Sequence, residues 1–590
     1  MSTKEHSYMD DSDRLASIFE ERAEFLSKEE LKSWTARTSR DESVIRKLKG
    51  PGAKLLSGPR GSGKSTLLRR AYFELIEEGG VLAVYVNYSR SLALEPLVYT
   101  QANAFHIFRQ WVVMKIIVGV EQSFKEMRVE ATNKFKTTAA YANRFINDLE
   151  IGHTPDWLEY SIAPSELLSL LESWTKWANC RRCVLFLDDA AHAFSLDQQR
   201  DFFEIFRELR SRRVSGKAAV YPGITSYSPN FHVGHEAEIL EAWYQPNEPE
   251  FKIMMREIVK RRLPAELLSH LTQEFIDLMA FASFGLPRGF LNMVSQVLKV
   301  EHTYPAKSDT YPAKSDTYPA KSDTYPAKSG KKATRRDTLK AISEHAESIR
   351  GIFQALALKL PRFKHFIEVG RELERATTDR IQTYNKNKSL KEKAVIIAIQ
   401  EPIPSELERI LQFLEYAGLL RKGQSVSKGN DGTYQRYTVH YAILISTNSL
   451  NLGANYSLSD LIEALSHRDA HAFARAKATT LLGHDYQKRC TLDMPPCPNC
   501  SEPRLIERQY FCLKCGTELP RVSLYKELLN APLEKLPLTT NKIDGIKKYT
   551  KLRTVQDILL DDSQSMMEVP YIGKVWSKRI KNMAEEFVSV

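Results

Sequence analysis

The apolar positions of this chain change period several times, and each change marks an element. Leu55-Leu56 is a short apolar run leading into a glycine-rich turn, and Leu67 to Glu78 then follows with helical spacing. Gly79-Gly80 stops that helix. Val81 to Asn87 is a continuous β-rich run, as expected of a strand buried on both faces of a parallel sheet. Residues 91 to about 180 return to helical spacing, clearest over Ala104–Val120 and Ser165–Trp177. Cys183-Val184-Leu185-Phe186-Leu187 is a second buried strand, closed by Asp188-Asp189. A helix is expected from Asp197 to Arg210 and a core strand from Ala218 to Ser226. Helices follow over Pro249–Leu263 and Thr272–Phe284. Strands alternating with helices in this way predict an α/β unit with a parallel sheet.

A different pattern begins after residue 302. Thr-Tyr-Pro-Ala-Lys-Ser recurs at Thr303, Thr310, Thr317 and Thr324, and Asp309, Asp316 and Asp323 complete a seven-residue unit. A proline in every unit and the lack of paired apolar positions exclude a coiled coil. The composition predicts an extended linker, with contact to nucleic acid as the alternative. Identical copies suggest recent tandem duplication, so copy number is expected to vary among close relatives.

Beyond it, helices are expected over Thr338–Leu358 and around Phe363–Thr377. A further helix starts at Ser405 as cap, shares Leu407, Ile410, Leu411 and Leu414 on one face, and ends at Gly418. Leu419–Lys428 and Tyr434–Ile445 read as strands around the turn Gly429-Asn430-Asp431-Gly432. The last segment reads as helical repeats, Leu538–Tyr549, Leu552–Leu559 and a final helix after Val569. The expected units are a helical lead-in at 1–50 anchored by Phe19, Leu26 and Leu31, an α/β core at 51–235 and a helical lid at 236–302. A linker at 303–330, a helix-and-wing domain at 331–450 and a helical connector at 451–490 follow. A cysteine-rich unit at 491–524 and an all-α unit at 525–590 complete the chain.

Composition narrows the setting. With 84 Lys+Arg against 73 Asp+Glu the formal net charge is +11, which favours an anionic partner, nucleic acid first. No run of 18 apolar residues occurs, Trp111–Val120 is too short to span a bilayer, and Met1–Arg14 is polar and acidic rather than a secretory signal. No membrane role is expected, and the expected location is cytoplasmic.

The chemistry is carried first by Gly58-Pro59-Arg60-Gly61-Ser62-Gly63-Lys64-Ser65, the full G-x-x-x-x-G-K-[ST] spacing of a Walker A P-loop between strand and helix. Gly58, Gly61 and Gly63 let the loop turn its N–H groups inward, and the helix after it aims its N-terminus at phosphates. Lys64 can reach the β- and γ-phosphates of ATP, Ser65 can hold Mg²⁺, and Thr66 completes the cradle. Asp188 is assigned to Mg²⁺ and Asp189 to activation of the attacking water. Thr225 or Ser226, at the end of the next strand, is a candidate γ-phosphate sensor, and Arg288 in Gly285-Leu286-Pro287-Arg288 a candidate lid residue near the nucleotide.

These motifs, in this order over residues 50–300, resemble the AAA+ ATPases of the origin-recognition/initiator type and their STAND relatives. The resemblance implies a P-loop core with a parallel sheet and helical lid, ATP and Mg²⁺ as ligands, ATP hydrolysis, and a following winged helix. Asp188-Asp189 stands where initiators usually have Asp-Glu, a pair more like STAND proteins. No arginine lies between Arg213 and Arg256, where a finger would sit; Arg210, Arg212 and Arg213 are nearby substitutes. These departures favour slow, regulated switching over fast hydrolysis in a ring. The helix and basic wing of 331–450 resemble a winged helix, with Lys422, Lys428 and Arg436 facing DNA phosphates, or a winged helix used only for protein contacts.

Cys497-Pro498-Asn499-Cys500 and Cys512-Leu513-Lys514-Cys515, eleven residues apart, give four thiolates for structural Zn²⁺ and resemble a zinc ribbon. The terminal unit resembles a helix-hairpin-helix, and its helical pair the C-terminal domain of the bacterial RNA polymerase α subunit. That implies Gly573, Lys574, Lys578 and Arg579 at a DNA phosphate, although Tyr571 occupies the first glycine position of the usual turn. A protein-docking role is the alternative. The expected function is an ATP-dependent, DNA-binding switch ATPase that recruits partner proteins, in anti-phage defence or a mobile element. The alternatives are a signalling scaffold that binds a protein trigger or effector, and a replication initiator or helicase loader. A nucleotide-dependent homo-oligomer is compatible with either class.

Overall fold

The computed structural model describes residues 18–19, 22–88, 94, 104–150, 161–189, 196–298, 332–466, 472–504, 509–519, 524–536, 538, 540–561, 564–570 and 572–588. The heptapeptide repeat of 303–330 lies outside them. Five strands, β1 (Lys54–Ser57), β2 (Val81–Asn87), β3 (Arg182–Asp188), β4 (Val214–Val220) and β5 (Glu238–Glu241), form one parallel sheet. Their order is β2-β3-β4-β1-β5, so β4 is inserted between the P-loop strand and the acidic strand. The expected fold, an AAA+-type core with parallel sheet and helical lid, is the fold observed.

Both faces of the sheet are covered, which is why β2 and the middle of β3 are apolar and every position of β4 is buried, Ser215 and Lys217 included. The helix Ala104–Met127 packs on one face with Leu82, Val84 and Val86. On the other, α1 (Lys64–Glu78) and the helices Lys28–Trp34 and Ser39–Lys49 bury Leu26, Leu31, Leu68 and Ala83. The lead-in is therefore part of the core.

Two expectations change here. The fourth strand covers Val214–Val220 rather than Ala218–Ser226. It cannot run on, because Pro222 has no N–H to give a ladder and Gly223 turns back with φ +79. Thr225 closes that turn: its hydroxyl accepts from Tyr221 N–H at 2.9 Å and donates to the Tyr221 carbonyl at 2.8 Å. The short edge strand β5 was not anticipated, since Glu-Ile-Leu-Glu carries little strand signal by itself.

The lid comprises Phe251–Arg262, Gln273–Ala282 and α2 (Pro287–Val297). The turn before α2 needs a glycine. Gly285 has φ +84, and a Cβ there would stand 2.0 Å from the Tyr244 carbonyl oxygen. The long helix α3 (Arg335–Lys359) continues the lid core into the second domain, and one apolar cluster joins lid, winged helix and terminal helices.

The winged-helix sheet has the order β7-β8-β6-β9, from β6 (Ile396–Gln400), β7 (Leu420–Ser427), β8 (Thr433–Val439) and β9 (Ala474–Ala476). The helix α4 (Ser405–Tyr416) is capped at Pro404, so Ser405 is its first residue and not its cap. Strand β8 stops at Val439, and Tyr441–Ser446 is a helix rather than its continuation. The segment 451–490 is not a purely helical connector: β9 pairs parallel with β6. In the cysteine unit Phe511 bridges Glu518. The terminal unit contains Leu524–Leu529, Thr540–Tyr549, Val555–Leu560 and α5 (Lys574–Val588). Among the described residues no helix is long and apolar enough to cross a membrane.

Candidate nucleotide site

The site forms where β1, β3 and β4 end. Between β1 and α1 the loop folds under itself: Ser62 N–H donates to the Pro59 carbonyl at 3.4 Å, and Gly61 and Gly63 adopt φ +78 and +92. A side chain at Gly61 would press on Arg288, with Cβ atoms 3.0 Å apart. Lys64 opens α1 and is buried. Its Nζ donates to the Gly58 and Pro59 carbonyls at 2.7 and 3.1 Å and stands 3.7 Å from the centre of the Tyr221 ring. Burial pulls the ammonium well below its ordinary range, Arg60 and Arg288 add to this, and Asp189 and Asp188 oppose it.

The acids lie alongside. Asp188 is buried; it accepts from the Tyr85 hydroxyl at 2.7 Å and bonds to the Ser65 hydroxyl. Burial, then the charge of Asp189, raises its carboxyl to about 7. Asp189 has φ +52, donates its N–H to Asp188 Oδ1 at 3.0 Å, and accepts from the Tyr221 hydroxyl at 2.7 Å.

The residues fit a triphosphate and its metal. Arg60, Lys64, Arg262 and Arg288 converge on one pocket with Gly61, Gly63, Ser65, Thr66 and Asp189. Ser62 Oγ, in the same loop, is buried with no hydrogen-bond partner among the described residues. Ser65 and Asp188 form the hard-oxygen pair that Mg²⁺ takes.

The structure thus brings Gly58, Gly61, Gly63, Lys64, Ser65, Thr66, Asp188, Asp189 and Arg288 together. It does not bring in Thr225 or Ser226. Thr225 is used in its own turn, and the Ser226 hydroxyl accepts from Arg200 at 3.1 Å. The residue that β4 presents to the pocket is Tyr221, which the sequence reading missed; its only signal was an aromatic ahead of Pro222-Gly223. Arg22 and Glu24, on the turn Ala23–Phe25, and Asn87, at the end of β2, were missed as well. No motif marks them, and only folding places Arg22 and Glu24 in the pocket and Asn87 against Glu24.

The four cysteines are also assembled. Their Sγ atoms all lie within 4.8 Å of one another, with Cys497–Cys515 at 3.5 Å and Cys500–Cys512 at 3.4 Å. Tetrahedral Zn²⁺ with bonds of about 2.3 Å places thiolates about 3.8 Å apart, so the set fits. The candidate phosphate contacts are more scattered. Lys422 is exposed on β7. Lys428 lies 5.0 Å from the Phe473 ring centre, and Arg436 donates to the Gln424 carbonyl at 2.9 Å. Gly573 is exposed, and Lys574 begins α5. Lys578 stands 4.4 Å over the Phe25 ring and Arg579 5.3 Å over Trp576.

No family model and no curated protein matches the chain. Solved structures do. CDC6P of Pyrobaculum aerophilum is 13% identical, the match covering 74% of this chain and 97% of that one, with a TM-score of 0.29. The ORC1 protein of Aeropyrum pernix in complex with DNA is 14% identical over 71% and 94%, TM-score 0.31. Drosophila ORC bound to DNA is 14% identical over 79% and 95%, TM-score 0.32. At these scores the likenesses carry no functional weight; the strand order and the P-loop geometry stand on their own.

Proposed function

We propose that this protein is an ATP-dependent, DNA-binding switch ATPase. The observation that supports this most is the pairing of Ser65 with Asp188 beneath a P-loop whose lysine is held in reserve. Phosphates entering the loop offer Lys64 a better partner than the Gly58 and Pro59 carbonyls and restore the charge that burial disfavours. Ser65 and Asp188 would hold Mg²⁺, which neutralises phosphate charge when bound. Arg288, on the lid and against Gly61, ties occupancy of the loop to the position of α2. Since α2 shares a core with α3 and the winged helix, a shift of the lid is carried to the wing.

DNA engagement rests on the basic charge and on Lys422 of the exposed wing. Recruitment of a partner, in defence against foreign DNA, a mobile element or replication initiation, completes the reading. Full-length protein should hydrolyse ATP faster with DNA present, and its DNA affinity should fall steeply with salt. DNA that neither binds at moderate salt nor alters turnover would remove the reading. A second reading, a scaffold for a protein trigger, is favoured by one feature. Phe511 and Leu513 on the cysteine knuckle are 58% and 74% exposed, which suits a protein contact. Loss of a bound protein on Leu513→Ser, with DNA binding intact, would support it.

A further inference from the structure

Three carboxylates meet at the end of the sheet, and only two come from the acidic strand. The third, Glu24, sits on the turn Ala23–Phe25 and lines the same pocket as Lys64 and Ser65. Both of its oxygens are held. Asn87 donates from Nδ2 to Oε2, and Arg22 donates from Nη1 to Oε1 at 3.2 Å. Asn87 is the register partner of Asp188, so its amide places Glu24 beside the metal-holding acid. Asp188 and Asp189 both feel the charge of Glu24 or lend it theirs.

The other two carboxylates carry hydrogen bonds of their own, so it is length and position, not freedom from partners, that sets Glu24 apart. Asp188 is taken up by Ser65 and Tyr85. Asp189 accepts the Tyr221 hydroxyl, from a left-handed backbone and on a side chain one methylene shorter than a glutamate's. Glu24 has that extra methylene and lines the pocket together with Lys64, Ser65 and Arg288.

We propose that Glu24 is the catalytic base of this site, taking the proton from the water that attacks the γ-phosphate of ATP, with Asn87 and Arg22 as its positioning residues. The inference rests on the ATPase reading above. The water oxygen bonds to the γ-phosphorus as the bond from that phosphorus to the bridging oxygen breaks. The electron pair leaves on ADP. One water proton passes to the Glu24 carboxylate and is released with inorganic phosphate.

The test uses the full chain, a fluorescent ATP analogue for affinity, and single-turnover hydrolysis of ATP. Glu24→Gln keeps the shape but cannot take a proton. It should bind nucleotide within about twofold of wild type and lose turnover by roughly 100-fold or more. Asp189→Asn should lose less. Should the glutamine variant misfold, Glu24→Asp serves: it should lower turnover at unchanged nucleotide affinity. A purely structural Glu24 would lower affinity and melting temperature together. Wild-type turnover in a folded Glu24 variant would overturn this assignment alone. A wild-type chain that binds no ATP would overturn both it and the ATPase reading.

Discussion

Lys64 shows why a phosphate-binding loop is legible in the sequence. The motif fixes its spacing from Gly58, and the spacing is local, so the fold has little freedom to alter it. Its ammonium is held by two carbonyls of its own loop, and phosphate would compete with them. Lys64→Ala should therefore weaken ATP binding by about 3 kcal/mol, or roughly 100-fold, read by titration calorimetry. Binding within a few-fold of wild type would refute its role. Tyr221 was not legible for the converse reason. Its place depends on where β4 stops, and the strand was expected to run to Ser226. Glu24 lay further still from notice: it is brought to the site from 40 residues before Lys64 by a turn without a motif.

The junction of lid and winged helix buries two histidines. His345 of α3 and His440, which caps the helix Tyr441–Ser446, meet edge to face with ring centres 5.5 Å apart. His345 also presses on Gly289 of α2. Burial lowers His345 to about 4 and His440 well below its ordinary value, the latter helped by His345. Folded pKa values below the unfolded value of about 6.5 mean that the unfolded chain binds more protons between them. Stability is then full above about pH 6.5 and is lost as pH falls toward 4, His345 accounting for about 3 kcal/mol at most. Thermal melts should show this acid slope, shallower in His345→Phe; equal slopes would remove the histidine account. The cysteine knuckles are a separate element with their own small core. Cys512→Ser should lose about one Zn²⁺ per chain and expose residues 497–519 to proteolysis, leaving the ATPase core's melting unchanged. Single helices and β2 followed from periodicity, because period is a local property. β9 did not, since three residues join a sheet only through pairing with a distant partner.

The first and last described segments of the chain meet. Arg22 donates to the Asn582 carbonyl at 2.7 Å and lies 3.7 Å from Glu585, while Lys578 covers Phe25. The helix α5, read from sequence as a DNA-contacting element, thus grips the turn that carries Glu24. On the proposed reading, DNA drawing Lys578 away would loosen that turn and so couple DNA occupancy to ATP hydrolysis. Lys578→Ala should increase hydrogen exchange over residues 22–25 and change turnover; unaltered exchange there would sever the link. The modular order along the chain was legible from motifs, but no local pattern encodes contact across 560 positions.

Whether nucleotide state governs DNA engagement is read from DNA affinity in one buffer. Full-length protein is titrated with a duplex free of nucleotide, with ATP and with ADP, and the series is repeated with Lys64→Ala. Affinity should differ between the ATP and ADP states by at least about fivefold, the lower end of ordinary coupling between sites, and Lys64→Ala should abolish the difference. Equal affinity in all three states of the wild-type protein would contradict nucleotide control of DNA engagement.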